Sequence, residues 1–271
     1  MPGQLYNILV PIDFKARNRW ALTKAVELSN GFGCNIHLVH VRSKQDKMFA
    51  RRTGQEVAFR KLEQLRSEYR QQICGEGRIE ISVLSGNRSQ ELQHYIQKYE
   101  MDLVITGLSR FNLLDRLASS VSISRLATKT QLPILAVRSS GLVCHYKKIV
   151  LPVSGEVPIR QIRLAALLGR AFRSTVYFVS LRQHADGEHK NLLVQALEVV
   201  QSISTVPVQS FLLEGKNLAK STLEFSRKIN ADLIMVNPVR DFRLPGLWNR
   251  ITNKLLSYGS KIPVMTMSNK G

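Results

Sequence analysis

The chain has 271 residues, 44% of them apolar and 22% charged, which excludes a disordered polymer and gives room for two domains of ordinary size, each with its own core. Lys and Arg number 39 against 20 Asp and Glu, a net charge of +19; it divides as +9 over residues 1–141 and +10 over residues 142–271, so it is no basic tail. No apolar run reaches the roughly 18 residues of a membrane span, MPGQLYNILVPIDF lacks the order of a secretory leader, and Cys34, Cys74 and Cys144 form no CxxC pair; a cytoplasmic chain with buried free thiols and no zinc site is expected.

The first apolar run, Ile8 to Asp13, reads as a strand buried on both faces. Ala21, Leu22, Ala25, Val26 and Leu28 follow at helical spacing, with Gly31 as the expected stop. A strand over residues 36–41 leads into a basic stretch containing Arg42, Lys44, Lys47, Arg51, Arg52, Arg60, Lys61, Arg66 and Arg70. Within it Phe59, Leu62, Leu65, Tyr69 and Ile73 mark the buried side of a helix. A third helix is predicted from about Ser89, carrying Leu92, Tyr95, Ile96 and Tyr99. Then come a strand at residues 102–107, a helix from about Ser120 with Ile123, Leu126 and Ala127, and a strand at residues 132–137.

The second half repeats this plan. Ile8-Leu9-Val10-Pro11-Ile12-Asp13 matches Ile149-Val150-Leu151-Pro152-Val153-Ser154 at an offset of 141, and the strand at 36–41 matches 176–181 at 140. Asp102 to Gly107 matches Asp232 to Asn237, and Leu132 to Val137 matches Ile262 to Met267, both at 130. The lost ten residues imply an insertion in the first copy, expected within residues 42–70. Strands apolar on both faces, each followed by a helix, predict two tandem α/β domains, residues 1–141 and 142–271, each a doubly wound five-stranded parallel sheet.

ILVPIDF, DLVITGLSR and SVSISRLATKTQLPILAVR, in this order and spacing, together resemble the universal stress protein family, with residues 142–271 as a more degenerate copy. The resemblance implies a Rossmann-like sheet of order 3-2-1-4-5. It also implies that the two copies pack as a pseudo-dimer through their last strands, residues 133–138 against 263–267, with a homodimer as a further possibility. Pairing would cover apolar edges that otherwise aggregate, and Pro133 and Pro263 suit the starts of edge strands.

ATP-binding members of the family carry Gly, two residues, Gly, nine residues, Gly and then Ser or Thr after the fourth strand. Such glycines let backbone N–H groups approach phosphate, and the following helix adds its dipole. Here Gly107 matches the first glycine, Arg110 stands at the second and Ser119 near the third, followed by Ser120 and Val121. The match to the motif is therefore partial, with Arg110 and Arg116 offering charge where glycines offered backbone. Asp13 matches the carboxylate used near the ribose, and Val41 the position whose backbone reads adenine. The resemblance thus implies an adenine-nucleotide site, for ATP or a relative, from Pro11, Ile12, Asp13, Val41, Gly107, Ser109, Arg110, Ser119, Ser120 and Val121. In the second copy Ser154 replaces the Asp, Asn237 and Arg240 replace the first two glycines, and Pro245-Gly246 with Trp248 reads as a filled turn. No nucleotide is expected there.

Ser154-Gly155-Glu156 resembles a pyrophosphate loop of ATP-cleaving synthetases but lacks its second glycine, and a turn with Ser154 as helix cap is the expected reading. The histidines have no ligand spacing, and His37 and His40 fall on opposite faces of one strand. No catalytic triad or carboxylate pair is placed by the repeat. The function expected is that of a non-enzymatic stress-response binding module; a basic nucleic-acid-associated protein or scaffold, touching an anionic partner through residues 42–70, and a weak ATPase are the alternatives.

Overall fold

The computed structural model describes residues 4–42, 51–108, 129–138, 146–182, 187–237 and 261–268, with backbone alone at 51–53 and 187–189. The chain divides into two compact units, one spanning Gln4–Leu142 and the other containing Val143–Gly271. In the first, β1 (Asn7–Pro11), α1 (Arg17–Phe32), β2 (Asn35–Arg42), α2 (Arg51–Arg70), β3 (Ile79–Ser85), α3 (Arg88–Lys98), β4 (Leu103–Gly107) and β5 (Ile134–Val137) follow one another. Every strand pair is parallel and the order is β3-β2-β1-β4-β5.

β1 lies at the centre because it is apolar throughout: Ile8, Leu9 and Val10 are fully buried. It pairs with β2 from Asn7↔Asn35 to Pro11↔Val39 and with β4 through Ile8↔Leu103. Right-handed crossovers running β1-β2-β3 and then back to β4 put α1 and α2 on one face of the sheet and α3 on the other. Accordingly α1 packs on α2, and α3 packs on β2 and β3.

In the second unit, β6 (Lys148–Pro152), α4 (Ile159–Phe172), β7 (Thr175–Leu181), α5 (Gly187–Ile203), β8 (Val208–Leu213), α6 (Leu218–Lys228), β9 (Leu233–Val236) and β10 (Val264–Thr266) repeat the path. The order β10-β9-β6-β7-β8, all parallel, is the same topology. Among the described residues no helix is long and apolar enough to cross a membrane.

Several boundaries differ from the sequence expectations. α1 runs past Gly31 to Phe32, and Gly33 takes the left-handed conformation, φ 69°, with its N–H on the Ser29 carbonyl at 2.7 Å. The stop is set by whichever glycine reaches the αL position, not by the first one met. On α2 the buried side is Ala58, Leu62 and Tyr69, while Phe59 is 50% exposed and Ile73 lies beyond the helix. Ala58 holds the i, i+4 position over Leu62, and the adjacent Phe59 is turned away. Tyr99 is the C-cap of α3, outside the helix and exposed.

The extra ten residues of the first unit are also not confined to residues 42–70. α2 has 20 residues against 17 in α5, and the return to the sheet takes residues 71–78 against 204–207. Cys34 is buried but Cys74 is exposed, which corrects the expectation of uniformly buried thiols. The helix expected from Ser120 lies outside the described residues, as do Cys144, His184 and the Pro245-Gly246-Trp248 turn.

Candidate functional site

In an open parallel sheet, ligands bind outside the carboxyl ends of the strands, where the strand order reverses. For the first unit that edge lies between β1 and β4, and Pro11, Ile12, Asp13, Val41 and Gly107 all come to it. Ser109, Arg110, Ser119, Ser120 and Val121, with Arg116, lie outside the described residues.

Past the end of β1 the chain stays on the sheet for one more bond, Ile12 N–H to the Val39 carbonyl at 2.8 Å. It then turns into α1 around Asn18. This side chain is 5% exposed; its Oδ1 accepts from the N–H of Asp13 at 3.0 Å and of Lys15 at 3.1 Å, and its Nδ2 donates to the Pro11 carbonyl at 3.3 Å. Sequence reasoning missed Asn18; a buried amide in the first turn of an otherwise apolar helix, five residues after Asp13, was the available signal.

Asp13 is committed to the same turn. One carboxylate oxygen accepts the Lys15 N–H at 3.1 Å and the other accepts from the Arg17 guanidinium. The ion pair is largely covered, with side-chain exposures of 14% for Arg17 and 15% for Asp13. Phe14, at φ 59°, sets its ring 4.5 Å from that of His40 at a tilt of 42°, and Lys61 Nζ sits 5.4 Å from the Phe14 ring centre. His40 Nδ1 lies 2.8 Å from the Ile12 carbonyl. A carbonyl only accepts, so Nδ1 carries the proton.

Gly107 has a packing reason of its own. A Cβ there would stand 2.0 Å from the carbonyl oxygen of Arg17, the first residue of α1. Its presence therefore reports how closely the helix approaches the end of β4, with or without a phosphate. Arg42, at the end of β2, is buried with its guanidinium against Gly54, where a Cβ would lie 2.7 Å from Nη2.

Arg88 opens α3 at the same edge and was also missed. Its side chain reaches solvent, yet burial among surrounding protein atoms is the main influence lowering its pKa, with Asp13 raising and Arg17 lowering it. Asn87 caps the helix beneath it, accepting from the N–H of Ser89 at 3.0 Å and of Gln90 at 3.3 Å.

The second unit reproduces the backbone with different side chains at the edge. Val153 N–H reaches the Val179 carbonyl at 2.8 Å, and Ser180 Oγ, in the place of His40, donates to the Val153 carbonyl at 2.9 Å. Ser154 does not cap α4, correcting the sequence reading: the N-cap is Pro158, without a side-chain bond. Ser154 instead bridges to Glu156 around Gly155, φ 75°, and Glu156 Oε1 accepts from Asn237 Nδ2 at 2.9 Å. Asn237 is the counterpart of Gly107, so here the two strand ends are tied by their own side chains.

Other polar residues have structural work. Asp102 accepts the N–H of Tyr6 at 2.7 Å and of Asn7 at 2.9 Å, and Asp232 accepts that of Lys148 at 2.9 Å, at the opposite edge of each sheet. Burial pushes the Cys34 thiol up to about 12, which leaves it un-ionised at neutral pH. Among the described residues no group of three or more His, Cys, Asp or Glu is gathered to hold a metal ion.

Residues 6–138 match the model of the universal stress protein family. A universal stress protein from Archaeoglobus fulgidus DSM 4304 is similar in fold, with a TM-score of 0.75 at 14% identity over 97% of this chain and 98% of that one. So is a functionally unknown protein from Pseudomonas aeruginosa PAO1, with a TM-score of 0.62 at 15% identity over 98% and 93%. The cytoplasmic domain of a prokaryotic cation chloride cotransporter also has this fold, with a TM-score of 0.57 at 13% identity over 98% and 96%. No curated protein matches the sequence. The first half of the chain is a universal stress protein domain, and the second half repeats its fold.

Proposed function

We propose that the chain is a stress-response binding module that acts without turnover, with one adenine-nucleotide site at the carboxyl edge of the first sheet and none in the second unit. The contrast between the two edges carries this reading: the first presents the Asp13–Arg17 pair and an exposed Arg88, and the second joins Glu156 to Asn237. Ser109, Arg110, Ser119, Ser120 and Val121 complete the proposed site. Asp13 makes a poor general base because Arg17 and the Lys15 N–H already hold its oxygens.

Isothermal titration with ATP, AMP and cyclic AMP tests the site. Heat with one of them, unchanged when Asn237 is replaced, supports it; no heat at millimolar nucleotide overturns it. Phosphate release from ATP above a heat-killed control would overturn the absence of turnover. The pairing of last strands, residues 133–138 with 263–267, and a cytoplasmic location belong to the same proposal. Crosslinking of cysteines placed in those two strands checks the pairing.

A second reading has one observation in its favour. α2 exposes Arg60, Lys61 and Arg70, in a chain of net charge +19. Such a face would bind nucleic acid without sequence preference and with a steep salt dependence. Gel shifts that persist unchanged as salt rises, or that never form, exclude it.

A further inference from the structure

We infer that the outer edge of the second unit's sheet, strand β8, joins two copies of this chain in solution, strand against strand about a two-fold axis through Ser210. This contact is independent of the nucleotide reading and of the pairing proposed for residues 133–138 with 263–267. β8 ends the order β10-β9-β6-β7-β8, and among the described residues no strand lies beyond it. Val176 N–H reaches the Pro207 carbonyl at 2.9 Å, and Arg182 N–H reaches the Leu213 carbonyl at 2.8 Å. Alternation along the ladder therefore turns the odd-numbered positions of β8 toward β7. The N–H and C=O groups of Val208, Ser210 and Leu212 are left pointing outward. One step earlier the Val206 N–H is taken by Ser204 Oγ at 3.2 Å, so the open ladder starts at Val208.

An open strand edge is a template for pairing, and the two units guard theirs unequally. Residues 55–85, from α2 to β3, carry five acidic and five basic side chains, and Arg78 and Glu80 are exposed at the edge strand itself. Residues 191–213, from α5 to β8, carry a single charge, Glu198. In that stretch Val194 is 45% exposed, Ile203 37% and Phe211 38%.

The lack of charge selects the occupant. Nucleic acid and anionic lipid need cations, and β8 offers none; a charged peptide would find no counter-charge. Two copies of a chain of net charge +19 repel wherever their basic surfaces meet, so a contact between them is least opposed at this uncharged edge. The edge is also self-complementary. Turned antiparallel about Ser210, Val208 comes opposite Leu212 of the partner subunit, Ser210 opposite the partner's Ser210, and Leu212 opposite the partner's Val208. Each pair exchanges both of its backbone bonds. Glu214, just past the strand, is already paired with Arg182 at 3.0 Å and meets no charge across the axis. A ladder this short gives a weak, reversible dimer.

The test is sedimentation velocity of the intact chain over a wide concentration range at low and moderate salt, repeated with Ser210→Lys and Ser210→Pro. The unaltered chain should pass from monomer to dimer as concentration rises, and more readily at moderate salt, which screens the repulsion. Ser210→Lys sets two like charges opposite each other on the axis and should weaken the dimer roughly fivefold at low salt. Ser210→Pro removes an N–H that the monomer leaves unused and should leave only monomer. A chain that stays monomeric throughout overturns the inference, as does a dimer that both variants leave equally tight. A dimer loosened by salt overturns it too, since charged groups would then hold it. If Ser210→Pro fails to fold by circular dichroism, Ser210→Lys decides, because the Ser210 side chain is exposed.

Discussion

Beneath their third helices the two units solve the same packing problem in opposite ways. In the first, His37 of β2 lies 8% exposed under α3, with Nδ1 3.0 Å from the Tyr95 hydroxyl, Nε2 3.4 Å from Asn7 Oδ1, and Ser82 Oγ 3.1 Å from the same Tyr95 hydroxyl. In the second, the matching positions are Tyr177, Phe211 and Phe225, whose rings pack at centroid distances of 6.3, 6.2 and 5.0 Å. Ser82 pairs with Val39 and Phe211 with Val179, so the registers correspond. One backbone thus accepts either a satisfied polar chain or an aromatic cluster. The polar version exposes the first unit to penalties that the second escapes, because each member left unpaired costs its full desolvation.

The sharpest way to break the correspondence is Gly107→Asn, which installs the second unit's residue in the first. Its Cβ meets the Arg17 carbonyl, and a loss of about 2–3 kcal/mol is expected from urea unfolding. The reverse change, Asn237→Gly, removes an exposed bond to Glu156 but meets no clash and should cost less, about 1 kcal/mol. Tyr95→Phe comes next, at about 1–2 kcal/mol, since His37 and Ser82 lose their common partner. Hydrogen exchange should show the loss in α3 and not in α6.

Acid offers a third probe. Burial lowers the His37 pKa below its ordinary value of 6.5, so the native state favours the neutral ring. Its contribution is complete above the unfolded pKa and is lost as pH falls through the lower folded value. Glu80 of β3 raises that pKa and limits the effect; Tyr95 and Tyr99 ring the site, with Lys98 against Tyr99. Protection factors in α3, taken relative to the intrinsic exchange rate at each pH, should fall on acidification and should do so less in His37→Phe. The smallest effect is a gain: Arg173 ends α4 at φ 54°, where Gly33 ends α1 at φ 69°. Arg173→Gly should raise stability by about 0.5–1 kcal/mol, read as an increase in Tm.

The parallel sheets and the two-unit plan were legible because unbroken apolar runs such as Ile8-Leu9-Val10, met twice, have few ways to be buried other than between helices, whereas the strand order came from the family resemblance. Helix faces were legible only where the large residue was the buried one. At Ala58 and Phe59 the pattern favours the wrong neighbour, because hydrophobicity does not say which side of a helix meets the sheet. At the site, Asp13 and Gly107 stand out as motif positions, whereas Asn18 and Arg88 matter through contacts that only the return of β3 and α1 to one edge creates. Ser154 misled for a related reason: a hydroxyl before a helix suggests a cap, but α4 begins five residues later, at Ile159.

The close approach at Gly107 also separates two histories that a motif search would merge. The position works as a gauge of clearance between the end of the fourth strand and the start of the first helix. Where the helix begins at Arg17 it admits only hydrogen; where Pro158 stands in the corresponding place and the helix starts one step later, it admits Asn237. Sorting related chains by this glycine would sort them by helix clearance, and chains that bind no ligand would still pass.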